Sequence, residues 1–404
     1  MQLPYLTGEM PGIGGRIKEN LEDFQVAEVP LYPFDGQGTH LLFLVRKAGI
    51  PTAAAVERIA RHMGVRGDEI GLAGLKDAQA VTTQWMSLEH ADEARLLAYR
   101  DSQVHILQAT RHTNKLRPGH LAGNRFVIRI RGAGPERLPA AQAVLAVLAR
   151  RGVPNFFGEQ RFGLRGDTGE LGRALMTDDL PEFVAMFLGR ARPQDPPDCK
   201  AARDAFDAGF HHRAMDLWPR HYHDQRRALA AYRKKQRPVA AVSAIDKRMK
   251  RLFVSAFQSQ IFNQVLVRRI DTLDQVLPGD LAVKHDSGGV FLVEDAQAEQ
   301  PRAQRFEISP TGPIPGYRAS LAQGAPGQIE LDVLAAEGMK KDDFLRAGSL
   351  KIKGSRRPLR FQLLDPQLSP GADDRGEFLE MQFSAASGCY ATVALREIMK
   401  ADVR

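Results

Sequence analysis

Polar and apolar positions alternate over residues 24–29 (Phe24-Gln25-Val26-Ala27-Glu28-Val29), and this period of two predicts a strand. The apolar run at 41–45 predicts its partner. Thr52 is expected to cap a helix whose Val56, Ile59, Ala60 and Met63 share one face. Two short strands should flank a small-residue loop holding Asp77, followed by a helix over 93–99 and a strand over 104–108. Residues 126–131 read as a strand with one apolar and one basic face, and residues 139–151 as a helix closed by Gly152. Strands and helices interleave without a regular βαβ period. That favours an α+β fold with a mostly antiparallel mixed sheet over a doubly wound parallel one.

The pattern changes in the middle of the chain. Asp195-Pro196-Pro197-Asp198 reads as a loop, and the helical stretch beyond it is crowded with Arg226, Arg227, Arg233, Lys234, Lys235, Arg237, Lys247, Arg248, Lys250 and Arg251. Phe253, Phe257, Ile261 and Val265 then recur every four residues, with Ala256, Phe262, Leu266 and Ile270 beside them, predicting a strongly amphipathic helix. Residues 279–324 are rich in Gly, Pro and short strand candidates. The tail predicts a strand over 378–383 and a helix over 392–400. Internal repeats and low-complexity segments are absent from the sequence.

With 404 residues the chain has room for two domains and a large core. Its 43% hydrophobic and 26% charged residues are ordinary for a soluble globular protein. A net charge of +8 points mildly to a polyanion such as nucleic acid, and equally to a solubilising surface. Cys199 and Cys389 lie far apart without CxxC spacing, so neither a disulfide framework nor a Cys-rich zinc site is expected, and a reducing cytoplasm fits. No basic-then-apolar leader opens the sequence, and no apolar run reaches membrane-spanning length.

Several segments could carry chemistry. Gly12-Ile13-Gly14-Gly15 lacks a preceding strand and a following Lys-Ser/Thr, so a flexible lead-in is expected rather than a phosphate loop. His211, His212, His221 and His223 near Cys199 match no zinc spacing and are expected to be exposed. Asp373 and Asp374 beside Gly371 read as a solvated turn. Asp77, the one acidic residue between Gly71 and Trp85, reads by itself as a turn residue far more than as a catalytic one. Elsewhere Gly, Asn, Arg and aromatic residues gather at element boundaries, a mixture suited to unpaired bases and phosphates. For Phe157 and Phe162, burial in a core is an equal alternative.

Taken together, these segments resemble the TruD-type bacterial tRNA pseudouridine synthases over most of the chain and in the expected order. The resemblance is carried by Phe24-Gln25-Val26-Ala27-Glu28, by Gly74-Leu75-Lys76-Asp77-Ala78-Gln79-Ala80-Val81-Thr82, by Lys115-Leu116-Arg117 with Gly123-Asn124-Arg125-Phe126, and by Asn155-Phe156-Phe157-Gly158-Glu159-Gln160-Arg161-Phe162-Gly163. Phe257-Gln258-Ser259-Gln260-Ile261-Phe262-Asn263 and Gly388-Cys389-Tyr390-Ala391-Thr392-Val393-Ala394-Leu395-Arg396-Glu397 complete it. It departs from the family pattern at Ala78-Gln79, where many relatives carry a basic residue, at Phe156, where Tyr is common, and at Cys389, where Ser is common. The first departure bears on phosphate contact and substrate breadth.

The resemblance implies isomerisation of uridine to pseudouridine in tRNA, at position 13, with no cofactor and no metal. It implies Asp77 as the essential carboxylate, Lys18 as the nearby cation, Phe126 as the aromatic that stacks on the target base, and Asn124 and Phe24 lining the same pocket. It also implies a pseudouridine synthase catalytic domain formed by 1–163 and 347–404, interrupted by an inserted α/β family-specific domain over 164–346. The basic helical region would then contact the tRNA backbone, its alternative being a solvated face. A nearby cation suits a carboxylate that must stay ionised. Nothing in the sequence demands a membrane or an oligomer. A non-catalytic RNA-binding or RNA-folding protein on the same scaffold is the alternative, which would have no use for a carboxylate facing phosphate.

Overall fold

A computed structural model of the protein describes residues 3–340, 342–346, 350 and 352–401. The chain divides into two compact units, one from the two ends (4–154 with the residues after 360) and one from Asn155–Arg360. The boundary expected between 346 and 347 abuts residues 347–349, which lie outside the described ones.

The first unit is built on an eight-stranded sheet. Its strands are β1 (Phe24–Pro30), β2 (His40–Ala48), β3 (Gly71–Leu72), β4 (Val81–Glu89), β5 (Val104–His112), β6 (Leu121–Arg131) and the hairpin Leu364–Asp373 with Gly376–Ala386. Their order is Leu364–Asp373, Gly376–Ala386, β6, β1, β4, β2, β5, with β3 pairing along β4. Every pairing is antiparallel except β1 with β4, which agrees with the mostly antiparallel mixed sheet expected from the missing βαβ period. β4 is nine residues long, not short, because β1 and β2 flank it on its two sides.

Helix α1 (Thr52–Met63) lays Ala55, Val56, Ile59, Ala60 and Met63 on Leu41, Phe43, Val45, Met86 and Leu88 of the sheet. Gly64, at φ 72°, ends it. α2 (Glu93–Leu97) stops two residues earlier than expected and is capped by Asp92, whose side chain accepts from the Arg95 N–H. α3 (Leu138–Arg151) ends at Gly152, as the sequence predicts.

The glycine segment at the N-terminus is not a loose lead-in. The Ile13 and Gly14 N–H groups donate to the Ile398 and Met399 carbonyls at 3.1 and 2.9 Å, at the end of helix Ala391–Met399. Arg16 and Arg131 exchange backbone hydrogen bonds of 2.9 and 2.8 Å, tying the segment to β6. Buried Glu397 accepts from the Leu6 and Thr7 N–H groups and the Thr7 hydroxyl at 2.9, 3.1 and 2.7 Å.

The second unit is helix-rich. Its longest helix, Lys247–Arg269, buries the row Phe253, Phe257, Ile261 and Val265 that the four-residue period predicts. One flank joins a cluster with Leu171, Phe183, Phe187 and Trp218, the other a cluster with Val333, Leu334 and Phe344. A four-stranded antiparallel sheet, ordered Ser355–Pro358, Ile308–Ile314, Leu281–Lys284, Val290–Leu292, accounts for the strand candidates after residue 279. No helix among the described residues is long and apolar enough to cross a membrane.

Candidate active site

Asp77 lies in the loop 73–80 between β3 and β4, and side chains from three other elements hold that loop by its backbone. Gln84 of β4 donates from Nε2 to the Gly74 carbonyl at 3.1 Å. The Thr52 hydroxyl accepts from the Lys76 N–H at 3.0 Å and donates to Gln84 Oε1 at 3.1 Å. Thr52 is thus the first helical residue rather than the cap: Pro51 precedes it in extended conformation, and the hydroxyl is used on the loop. Lys47 of β2 donates from Nζ to the Asp77 carbonyl at 2.7 Å and to the Ile50 carbonyl at 2.8 Å. The carboxylate itself projects outward, with the Asp77 side chain 43% exposed.

Lys18 brings the expected cation. Its Nζ stands 3.6 Å from Asp77 Oδ2, an ionic contact longer than a good hydrogen bond, and its side chain is only 9% exposed. At about 4 Å such a pair is worth ~1 kcal/mol in water and ~4 near a protein surface, and the openness of Asp77 keeps it toward the lower figure. The same ammonium lies 4.6 Å over the Phe24 ring. Lys18 is also a non-glycine residue in the left-handed region, at φ 59°. That conformation costs about 1–3 kcal/mol and gathers at functional sites. Pairing of the preceding Arg16 with Arg131 holds the segment in place.

Strand register collects the remaining candidates on one face. Val26 pairs with Phe126 and Glu28 with Asn124, while Phe126 pairs with Phe383 and Asn124 with Ala385 on the opposite flank of β6. Directly paired residues share a face, as do i and i+2, so Phe24, Glu28, Asn124, Phe126 and Phe383 all point to the same side. Phe126 meets Phe24 edge-on with ring centres 6.5 Å apart and stacks on Phe383 at 5.1 Å. The three rings are almost fully buried and form an apolar floor rather than an open wall. Asn124 Oδ1, on the same face, is buried with no hydrogen-bond partner.

A second ion pair lies beneath the loop. Lys76 Nζ is 2.9 Å from Glu28 Oε2, and both side chains are almost wholly buried. Burial pushes the Glu28 carboxyl up, opposed by Lys76. Burial likewise pushes the Lys47 ammonium down to about 8, opposed by the Asp77 charge and assisted by Lys76. Three lysines and two carboxylates thus converge around one rigid loop, with Asp77 the exposed member.

All five residues singled out in the sequence, Lys18, Phe24, Asp77, Asn124 and Phe126, belong to this assembly. Lys47, Thr52, Gln84 and Phe383 also belong to it, and the sequence does not single them out for the site. Phe383 reads as one more apolar residue of an alternating strand, and the other three act through contacts 10 to 32 residues away in sequence. Of the turn expected to be solvated, Asp374 is exposed, whereas Asp373 is tied to arginines of β6. Asp373 binds Arg131 at 2.7 Å and Arg129 at 3.4 Å, while Arg131 also binds fully buried Asp23 at 2.7 Å. Arg129 and Arg131 of β6 are therefore paired with carboxylates within the unit, whereas Arg125 is exposed and bonds the Gln382 side chain.

The sequence profile described as "tRNA pseudouridine synthase D (TruD)" matches residues 1–398. The chain belongs to the TruD family. It is 43% identical over 397 residues to a Geobacter sulfurreducens relative named tRNA pseudouridine synthase D, covering 98% of this chain and 96% of the relative. A relative of the same name from Anaeromyxobacter dehalogenans is 37% identical over 402 residues, covering 99% and 97%. A crystal structure assigned as TruD from Methanosarcina mazei superposes with a TM-score of 0.85 at 26% identity and covers 99% of both chains.

In the second unit of this TruD-family chain, the basic stretch forms helices His223–Lys235 and Pro238–Ala244 and the start of Lys247–Arg269. Not all of its charge is free. Arg226 is used internally, donating to the Met215 and Trp218 carbonyls at 2.8 and 2.6 Å, and Lys250 donates to the Val242 carbonyl at 3.2 Å. Lys234, Lys235, Arg237, Lys247 and Arg248 are exposed. His212 bonds Arg233 at 2.6 Å and His211 packs against Phe206 and Tyr232; among the described residues no three His, Cys, Asp or Glu side chains gather as metal ligands.

Proposed function

We infer that this protein isomerises uridine to pseudouridine in tRNA, at position 13, with Asp77 as the carboxylate that acts on the nucleoside. The reading is carried by one observation: Asp77 presents a 43% exposed carboxylate from a loop whose backbone is bonded by Lys47, Thr52 and Gln84, with Lys18 at 3.6 Å. A turn residue needs no such support. Family membership supplies the substrate class.

The reaction breaks the C1′–N1 bond, turns the uracil, and joins C5 to C1′. The C5 proton is lost and N1 gains one, so atoms balance without a redox partner. Asp77 can add to C1′ as a nucleophile, or remove the C2′ proton to give a glycal; either way a carboxylate is regenerated and can assist loss of the C5 proton. Lys18 places a positive charge 3.6 Å from that carboxylate. The Phe24–Phe126–Phe383 floor holds the detached base by apolar contact, and Asn124 offers its unpaired carbonyl to a uracil N–H. The target base leaves its stack at a cost of a few kcal/mol. Leu75, 78% exposed two residues before Asp77, is the apolar side chain this loop turns toward the RNA. The middle of the chain is the family-specific insertion, and its exposed lysines and arginines contact the tRNA backbone. The enzyme works in the cytoplasm, where its substrate is.

Tritium release from tRNA labelled at uridine C5 tests this reading, together with mapping of the pseudouridine formed. The wild type should release tritium and modify position 13, and Asp77→Asn should bind tRNA but release none. Wild-type release by Asp77→Asn would remove Asp77 from the chemistry. Binding without release by the wild type would favour the non-catalytic alternative.

A further inference from the structure

Lys47 has no part in the chemistry described so far, yet its position is unusual. It lies near the end of the interior strand β2, paired with Thr82 of β4 on one side and Val104 of β5 on the other, and is 0% exposed. A buried ammonium is costly, and an apolar side chain of similar length would fit a sheet interior at far lower cost. Only two acceptors compensate it, the carbonyls of Ile50 and Asp77 at 2.8 and 2.7 Å. The first closes the turn after β2; the second fixes the peptide that carries the Asp77 side chain.

The charges that face Lys47 come from the loop itself. The Asp77 carboxylate favours its protonated form and Lys76 disfavours it. Lys76 is in turn paired with Glu28 of β1, and Lys18 stands on the exposed side of Asp77. From β4, Thr82 contributes a buried hydroxyl that has no hydrogen-bond partner, so it does not share the load. Lys47 is therefore the group that bonds the Asp77 peptide from below, and its charge matters as well as its shape. Hydrogen bonds from an ionised donor are about twice as strong as those between neutral groups.

We propose that Lys47 is a positioning residue for Asp77: its ammonium clamps the Asp77 peptide to the turn after β2, and loss of its proton loosens the clamp and slows isomerisation at alkaline pH. The proposal rests on the reading of Asp77 as the reacting carboxylate. A misplacement of about 1 Å in a reacting group costs on the order of 100-fold in rate, while tRNA affinity, which comes mainly from the phosphates, is left alone.

The test is tritium release by the full-length wild type, Lys47→Met, Lys47→Arg and Asp77→Asn, with kcat and KM measured separately from about pH 6.5 to about pH 9.5. The wild-type kcat should fall with a midpoint near 8, the value to which burial lowers this lysine. Lys47→Met should lose roughly 10- to 100-fold in kcat at neutral pH with KM within about 2-fold, and lack that alkaline limb. Lys47→Arg, charged throughout the range, should recover part of kcat and also lack the limb. A wild-type kcat in Lys47→Met, or an alkaline limb surviving unchanged in either variant, overturns the proposal. Should Lys47→Met not fold, the wild-type profile and Lys47→Arg decide, and a flat wild-type profile is then fatal. Activity in Asp77→Asn would instead bring down the underlying reading of Asp77.

Discussion

Lys18 Nζ lies 3.6 Å from Asp77 Oδ2 and 4.6 Å over the centre of the Phe24 ring. One ammonium thus touches both the exposed carboxylate and the aromatic floor, and a left-handed backbone at Lys18 holds it there. Charge placed before the substrate arrives needs no reorganisation during the reaction. Lys18→Met should therefore lower kcat by roughly 10- to 100-fold with tRNA binding within about 2-fold, and Lys18→Arg should recover part of the loss. A Lys18→Met enzyme that loses tRNA binding but keeps kcat would make Lys18 a phosphate contact instead.

Asn124 separates function from stability. A buried acceptor without a partner costs about 1–3 kcal/mol in the free protein, so its removal should not destabilise the fold. Asn124→Val, which suits a strand, should leave the urea midpoint unchanged or raised. The same substitution should lower kcat/KM by about 10- to 100-fold, since a uracil N–H then enters the site unpaired. Loss of stability with normal kcat/KM would show that Asn124 serves the fold.

Much of this site is legible in the sequence, for physical reasons that differ by residue. Phe24 and Phe126 sit on strands that the apolar pattern reveals and Asp77 stands alone among small residues, whereas Asn124 precedes the expected strand 126–131 and is singled out by the family resemblance alone. The supports are another matter. Lys47 looks like one more charged residue at the end of a strand, because nothing local says that β2 is flanked by strands on both sides and Lys47 buried. Thr52 has the chemistry of a helix cap, and only the loop passing above it redirects its hydroxyl. Gly12–Gly15 reads as loose because its partners, Ile398 and Met399, come from the other end of the sequence. Asp373 reads as solvated because the arginines that bind it come from β6.

The Arg131 network should govern acid stability of the sheet. Arg131 is 4% exposed and binds Asp23, which is fully buried. Arg131→Ala strands that carboxylate, and breaking a buried pair in this way costs about 3–5 kcal/mol, measurable by urea denaturation. On its other side, the hydrogen bond from Arg131 holds the Asp373 carboxyl at about 2, below its usual 3.8. A lowered carboxyl stabilises the folded state above 3.8, and that contribution is lost as pH falls toward 2. The Tm difference between wild type and Asp373→Asn should accordingly be largest at neutral pH and shrink over that interval. A difference independent of pH would assign the effect of the substitution to packing.

The exposed cations of the basic helices make a prediction of a different kind, because phosphate binding is read through salt. Lys234, Lys235, Arg237, Lys247 and Arg248 face solvent, whereas Arg226 is tied to the Met215 and Trp218 carbonyls. Each phosphate that the protein no longer neutralises should reduce the slope of log affinity against log salt by about 0.7–0.9. Lys234→Ala, Lys235→Ala and Arg237→Ala combined should weaken tRNA binding, flatten that slope by up to about 2 to 3, and spare kcat at saturating tRNA. Arg226→Ala should instead lower stability, because the two carbonyls it bonds are then left without their donor, and leave the slope alone. An unchanged slope in the triple variant would reduce this face to solvated charge and move the search for the tRNA-binding surface elsewhere on the protein.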